Sequence, residues 1–188
     1  MKMVYKIKKI ISKFMKRDSE EREKEYRLSR GMKIGNNCNI YSWSTIDGGH
    51  PKLISIGDNV TISTNVTILT HDASTNIVGC GTKLGRVSIG NNVFIGTRAV
   101  ILCNVHIGNN VIVGAGSVVT QDLADNGVYA GVPAKRVCSI ETYKEKYQSL
   151  RETRPRFDLV RPWYDWKNAT EQETEDMAKA LEDGIGFI

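Results

Sequence analysis

The 188-residue chain is 40% hydrophobic and 25% charged, a composition typical of a folded globular protein. No stretch approaches about 18 consecutive apolar residues, so the sequence predicts no membrane-spanning helix. The net charge of +5 comes from residues 1–17, which carry seven Lys or Arg and no acid. Because the rest of the chain has no basic excess, the charge pattern argues against a nucleic-acid-binding domain.

The first predicted element is a basic N-terminal helical segment over residues 1–31. Lysines separate apolar residues that recur at helical spacing: Met3, Ile7, Ile10, Ile11 and Phe14. Such a helix packs its apolar stripe on protein or lies on an anionic membrane, where each cation contributes about 1 kcal/mol. Without a secretion signal, we expect a cytoplasmic protein, with residues 1–17 as a candidate peripheral contact at the inner face of the membrane.

Residues 32–138 follow a repeat of six. Residues 89–124 read IGNNVF, IGTRAV, ILCNVH, IGNNVI, VGAGSV, VTQDLA, and related hexads cover 34–51 and 56–73. A period of six fits neither a helix nor simple strand alternation. It predicts short strands joined by tight corners, with three hexads in each triangular coil and coils stacked by parallel pairing about 4.8 Å apart. The predicted core is therefore an all-β prism.

Two insertions interrupt the count. Four extra residues fall near "HPKL", between Ile46 and Ile56, and fifteen form a loop insertion over residues 74–88. Insertions in a solenoid emerge as loops, which commonly carry binding residues on a rigid scaffold. His71 stands at the base of the longer loop.

A C-terminal helical extension is predicted over residues 139–188. The stretch "SIETYKEKYQSL" has a helical pattern, and Thr170 with Glu173 forms a capping-box pattern before a second helix that ends near Gly184.

A single histidine beside a loop suits general-base chemistry, since its reference pKa of about 6.5 allows proton removal at neutral pH. His50, His71 and His106 are the only histidines, and they are scattered without metal-site spacing. No nucleophile-elbow motif is present. We therefore expect no metal and assign the catalytic role to His71.

The chain resembles the hexapeptide-repeat acyltransferases over about residues 32–140. The most specific stretches are "ISIGDNVTISTNVTILTHD", "VSIGNNVFIGTRAVILCNVHIGNNVIVGAGSVVTQD" and "VYAGVPAKRV". They are similar to the maltose and galactoside acetyltransferases and to sugar O-acetyltransferases of capsule and lipopolysaccharide gene clusters. The resemblance implies a left-handed parallel β-helix, a homotrimer, acetyl-CoA as donor, and His71 as the base that deprotonates a saccharide hydroxyl.

Further roles are implied residue by residue. Asn65 matches an acceptor-binding asparagine, although a corner amide explains it equally well. Asp72 falls in a slot that is normally small and apolar, so it orients the imidazole or caps the turn. The resemblance assigns acetyl-CoA contacts to Thr97, Ala115, Thr120 and Lys135. The chain departs from the family pattern at Gln121 and at Cys103-Asn104.

Three functions remain open at this point. The leading hypothesis is an acetyl-CoA-dependent O-acetyltransferase acting on a saccharide or a surface-polysaccharide precursor. A second hypothesis is N-acyl transfer to an amino sugar or antibiotic, which needs less help from a base. A third is a non-catalytic trimeric scaffold.

Overall fold

The computed structural model describes residues 19–157, 161 and 163–188. The predictions made for residues 1–17 lie outside this range. By its internal contacts the chain divides into two compact units, residues 1–140 and residues 141–188. Among the described helices, none combines the length and the apolar character that crossing a bilayer requires.

The first unit begins with helix α1 (residues 19–29) and continues as short strands. These are β1 (Lys33–Ile34), β2 (Asn39–Ile40), β3 (Ile54–Ile56), β4 (Thr61–Ile62), β5 (Thr67–Ile68), β6 (His71–Asp72), β7 (Lys83–Leu84), β8 (Val87–Ile89), β9 (Val93–Ile95), β10 (Val100–Ile101), β11 (Val105–Ile107), β12 (Val111–Val113), β13 (Val118–Val119), β14 (Gly127–Ala130) and β15 (Lys135–Ser139). Short 3₁₀ helices span Trp43–Thr45, Pro51–Leu53 and Ala73–Val78.

Three sheets, each built from strands of successive coils, form the faces of a prism. Sheet 1 has the order β1-β3-β8-β11, sheet 2 has β2-β4-β9-β12-β14-β15, and sheet 3 has β5-β10-β13. The pairing is parallel except between β14 and β15 and in the separate β6–β7 pair. This arrangement confirms the predicted stacked strands and fits a left-handed parallel β-helix.

The strand register matches the hexad count. Ile34 pairs with Ile56, which pairs with Ile89, which in turn pairs with Ile107, all first-slot residues of sheet 1. The insertions of four and fifteen residues therefore loop out without shifting the stack. Most first-slot side chains are fully buried, so each coil buries its aliphatic residues against those of its neighbours.

An asparagine ladder runs along the prism edge between sheets 1 and 2. Asn59, Asn92 and Asn110 all have positive φ, a conformation that asparagine tolerates better than β-branched residues. The Asn59 Nδ2 donates to Asn92 Oδ1 at 3.0 Å, and the Asn92 Nδ2 donates to Asn110 Oδ1 at 3.1 Å. The recurrent "NN" and "DN" pairs thus build a hydrogen-bonded corner.

Helix α1 is tied to the first coil by a buried arginine. Arg27 is 2% exposed, its Nε donates to the Ile46 carbonyl at 2.9 Å, and its guanidinium pairs with Glu23 on the same helix. The buried cation thus has a carbonyl and a half-exposed carboxylate as partners, as a buried charge requires.

The second unit contains most of helix α2 (Ile140–Thr153), a 3₁₀ helix (Trp163–Asn168) and helix α3 (Glu171–Ala180). The capping box is confirmed, because Thr170 Oγ1 accepts from the Glu173 amide and the Glu173 carboxylate accepts from the Thr170 amide. Helix α3 ends at Ala180, with turns from there toward Gly184.

The tight stacking predicts a large cost for a side chain at Gly90. A Cβ there would lie 2.7 Å from the carbonyl oxygen of Gly108 on the next coil, whereas a Cβ at Gly48 would meet nothing closer than Arg27 Nη2 at 3.5 Å. We expect Gly90→Ala to lower the free energy of unfolding by about 1–3 kcal/mol, as overpacking does. Urea unfolding of Gly90→Ala against Gly48→Ala tests this. Equal stabilities would contradict the proposed contact.

Candidate active site

The prism has three edges, and both insertions leave from the same one. We call the edge between sheets 3 and 1 the histidine edge, because it carries residues 47–53 after the first coil and residues 69–86 after the second. At the same edge, Cys103 lies in the corner of the third coil and Thr120 in the corner of the fourth. Loops from successive coils therefore converge on one line.

The longer insertion is anchored beside His71. Strands β6 and β7 pair antiparallel, with His71 opposite Leu84 and Asp72 opposite Lys83. Asp72 Oδ1 accepts from the Ser74 amide at 2.9 Å and caps the 3₁₀ helix, while its Oδ2 lies 2.7 Å from Lys83 Nζ. Hydrogen bonding to Lys83, followed by that to Ser74, holds the pKa of Asp72 well below its usual range. Of the two roles foreseen for Asp72, the structure shows the turn cap.

The carboxylate on the imidazole belongs to Asp47. His71 Nδ1 lies 2.6 Å from Asp47 Oδ2, and the Asp47 side chain is only 3% exposed while that of His71 is 43% exposed. The structure therefore places Asp47, rather than Asp72, in the orienting position. The physical reason is inter-coil stacking, which sets the residue after Ile46 beside the residues that follow Ile68.

Asp47 is held as an anion by four donors. Its oxygens accept from the Thr70 hydroxyl at 2.6 Å, the Thr70 amide at 2.9 Å, the Gly49 amide at 2.8 Å and the imidazole. Burial alone would raise the pKa of Asp47, but the hydrogen bonds from Thr70, Gly49 and His71 outweigh it and keep the pKa well below its usual range. An ionised partner fixes the proton of His71 on Nδ1.

The Nε2 atom of His71 is then the basic nitrogen. It makes no hydrogen bond to any residue in the described part of the chain. An imidazole with its proton on Nδ1, on a side chain that is half-exposed, can accept a proton at Nε2 from a bound hydroxyl.

His50 lies against this pair, which the sequence did not foresee. Its ring packs edge-on against that of His71, with centroids 5.7 Å apart, and ligand atoms of Asp47, His50 and His71 lie within 4.8 Å of one another. Two ligands of one tetrahedral zinc ion lie about 3.3 Å apart, given metal–ligand distances of about 2.0–2.2 Å. The 2.6 Å Asp47–His71 separation is that of a hydrogen bond, so the arrangement as it stands is a hydrogen-bonded pair flanked by a second imidazole.

A cleft of about 550 Å³ opens at His71 and follows the histidine edge along the stack. Its lining joins residues of three successive coils: Leu69, His71, Asp72, Ala73, Lys83, Leu102, Cys103 and Thr120. The structure thus brings together His71 and Thr120, two of the residues assigned from the sequence. Cys103, which departs from the family pattern, lies in the same lining.

Three other assigned residues lie at a different edge. Asn65, Thr97 and Ala115 occupy the corners between sheets 2 and 3, on three successive coils. Asn65 is exposed with φ of 58°, as a corner asparagine would be, and Thr97 Oγ1 lies 3.3 Å from Thr64 Oγ1. Lys135 is exposed at the start of β15. Within one chain these residues do not converge on His71.

Comparison with known proteins agrees with the repeat. A family model for bacterial transferase hexapeptides (six repeats) matches residues 86–121, and one for the hexapeptide repeat of succinyl-transferase matches residues 31–70. Protein CapG of Staphylococcus aureus is 45% identical over 74% of this chain and 83% of its own length. The chain belongs to the hexapeptide-repeat acyltransferase family.

Further relatives are named as acetyltransferases. A putative acetyltransferase, YvoF of Bacillus subtilis, is 32% identical over 68% of this chain and 72% of its own length. The galactoside O-acetyltransferase of Escherichia coli is 40% identical over 64% of this chain and 61% of its own length. The crystal structure of a hexapeptide-repeat-containing acetyltransferase from Vibrio cholerae matches with a TM-score of 0.50 and 30% identity, over 57% of this chain and 61% of that one. As a member of this family with relatives named as acetyltransferases, the protein is an acetyltransferase.

A matched pair of substitutions distinguishes the roles of Asp47 and Asp72. We expect Asp47→Asn to lower kcat by about 10²- to 10⁴-fold, the usual range for loss of general-base catalysis, because an amide cannot hold the imidazole proton on Nδ1 as a carboxylate does. Asp72→Asn removes an exposed ion pair and should cost less. Steady-state kinetics, with circular dichroism to check folding, give the order of the two losses. A loss in Asp72→Asn that equals or exceeds that in Asp47→Asn would contradict the assignment.

Proposed function

We propose that the protein is an acetyl-CoA-dependent O-acetyltransferase that acetylates a saccharide hydroxyl, with His71 as general base. The observation that carries the proposal is the buried, ionised Asp47 hydrogen-bonded to a half-exposed His71 at the head of a cleft. The galactoside O-acetyltransferase among the relatives supports a sugar hydroxyl as acceptor.

The chemistry follows from this arrangement. Nε2 of His71 accepts the proton of the acceptor hydroxyl while the oxygen attacks the thioester carbonyl carbon of acetyl-CoA. The tetrahedral intermediate collapses with cleavage of the C–S bond, and the CoA thiolate takes the proton back from the imidazolium. Asp47 stabilises the transient positive charge on the ring. Acetyl-CoA is a co-substrate, and no step requires a metal.

The alternatives fit the same site less well. A neutral amine attacks a thioester through its lone pair without first losing a proton, whereas a hydroxyl needs a base, so N-acyl transfer does not require an imidazole backed by an ionised carboxylate. A non-catalytic scaffold would gain nothing from a carboxylate that is costly to bury. The Asp47–His71 pair therefore favours O-acetylation.

Substitution of the base tests the mechanism directly. We expect His71→Ala to fold normally but to lose about 10²- to 10⁴-fold in kcat. His106→Ala is the matched control, since His106 is exposed on sheet 1 and bonds to Ser88 away from the cleft. The measurement is CoA thiol release together with the mass of the acetylated saccharide. Near wild-type kcat in His71→Ala would refute the base assignment.

A homotrimer is the second part of the proposal. Asn65, Thr97 and Ala115 lie at a different edge from His71, so one chain holds only part of the assigned site. Packing three prisms around a threefold axis would set the edge between sheets 2 and 3 of one copy beside the histidine edge of the next.

Light scattering tests the assembly. We expect the mass to be three times the 21.0 kDa of one chain at assay concentration. A fully active monomer of 21.0 kDa would contradict a shared site.

A further inference from the structure

A second cleft opens at the histidine edge, toward the first coil. This basic cleft has a volume of about 670 Å³ and carries Arg30, Lys33, Lys52 and Arg86 in its lining, with His50 and Leu84 where it approaches the base. No carboxylate is among its lining residues. Pockets of about 300–1,000 Å³ are the size that holds small ligands.

The four cations are available to a ligand. All four are solvent-exposed, and within the described residues none of them has an ion-pair partner. Four like charges around one concavity repel one another and attract a multiply charged anion.

The basic cleft reaches the catalytic pair from the side opposite the first cleft. His50 lines it and packs against His71, while Leu84 lines it and pairs with His71 across β6–β7. Lys83, the neighbour of Leu84, lines the other cleft. The base thus stands between two clefts.

The side on which acetyl-CoA is expected to bind distinguishes the two clefts. Thr120, assigned to acetyl-CoA, lines the cleft that runs from His71 toward the later coils, and Lys135 lies beyond the last coil. The cations of the basic cleft come from the turn after α1, from β1, from the short insertion and from the residue before β8. The acceptor therefore has the basic cleft as its approach to His71.

We infer that the basic cleft binds a phosphate or diphosphate group of the saccharide acceptor. This inference rests on the proposed function and adds the substrate class: a phosphorylated or diphosphate-linked sugar. Two guanidinium groups and two ammonium groups carry four positive charges, more than one carboxylate would need for charge balance. Arginine suits phosphate because its planar fork makes paired hydrogen bonds to two oxygens.

Anion binding can be measured without knowing the sugar. The full-length protein saturated with CoA is titrated calorimetrically with inorganic pyrophosphate, UDP and galacturonic acid. We expect pyrophosphate and UDP to bind more tightly than galacturonic acid. Arg86→Gln and Lys52→Gln should each weaken pyrophosphate binding about tenfold or more, as loss of a charged hydrogen bond does. Lys144→Gln, which removes an exposed charge from helix α2, should leave it unchanged.

Kinetics connect the cleft with the reaction. Acetyl transfer is measured to glucose and galactose, to their 1-phosphates and to their UDP-linked forms. We expect the phosphorylated acceptors to have the lower KM. Arg86→Gln should raise that KM without raising the KM for acetyl-CoA, whereas Lys135→Gln should do the reverse.

The outcomes separate the inference from the proposed function. Pyrophosphate that fails to bind the CoA-saturated protein, or that binds Arg86→Gln as well as wild type, overturns the inference, as does tighter binding of galacturonic acid. Equal KM values for neutral and phosphorylated sugars overturn it while leaving O-acetylation intact. Pyrophosphate binding without acetylation of any saccharide overturns the proposed function and, with it, the acceptor role of the cleft.

Discussion

The register between successive coils is the constraint on which the rest of the structure depends. Each strand contains only two to five residues and cannot bury its aliphatic side chain alone. Stacking solves this, because Ile46, Ile68, Ile101 and Val119 form one continuous buried column through sheet 3. The asparagine ladder fixes the corners in the same register. A column that cannot slip is a rigid support for loops.

The same stacking creates the Asp47–His71 pair. The Asp47 amide donates to the Ile68 carbonyl at 2.9 Å, which locks the end of the first coil onto the second. Burying a carboxylate there is costly unless donors compensate, and Thr70, Gly49 and His71 supply them. The result is an anion that holds the imidazole in one orientation before any substrate binds, so little reorganisation is left for the reaction.

The two clefts divide the histidine edge by charge. One runs along the later coils and mixes aliphatic side chains with His71, Cys103 and Thr120. The other is lined by four cations and by His50. The general-base role proposed for His71 would suit this arrangement, because in a transfer reaction two substrates must approach one nitrogen from different directions. The long insertion contributes to the lining of both clefts and the short one to that of the basic cleft, on the support that the prism provides.

The sequence by itself determined the prism, the positions of both insertions, the C-terminal capping box and the place of His71, because hexad spacing and turn chemistry are local. The sequence also contained a signal for Asp47: Ile46 and Ile68 occupy the same slot on adjacent coils, so the residue after Ile46 is expected beside the residues that follow Ile68. Only the tertiary structure decided that Asp47 and not Asp72 contacts the imidazole, that His50 lies beside it, and that Asn65 and Thr97 occupy another edge. These outcomes depend on side-chain directions and loop paths between residues distant in the chain, which a repeat period does not specify.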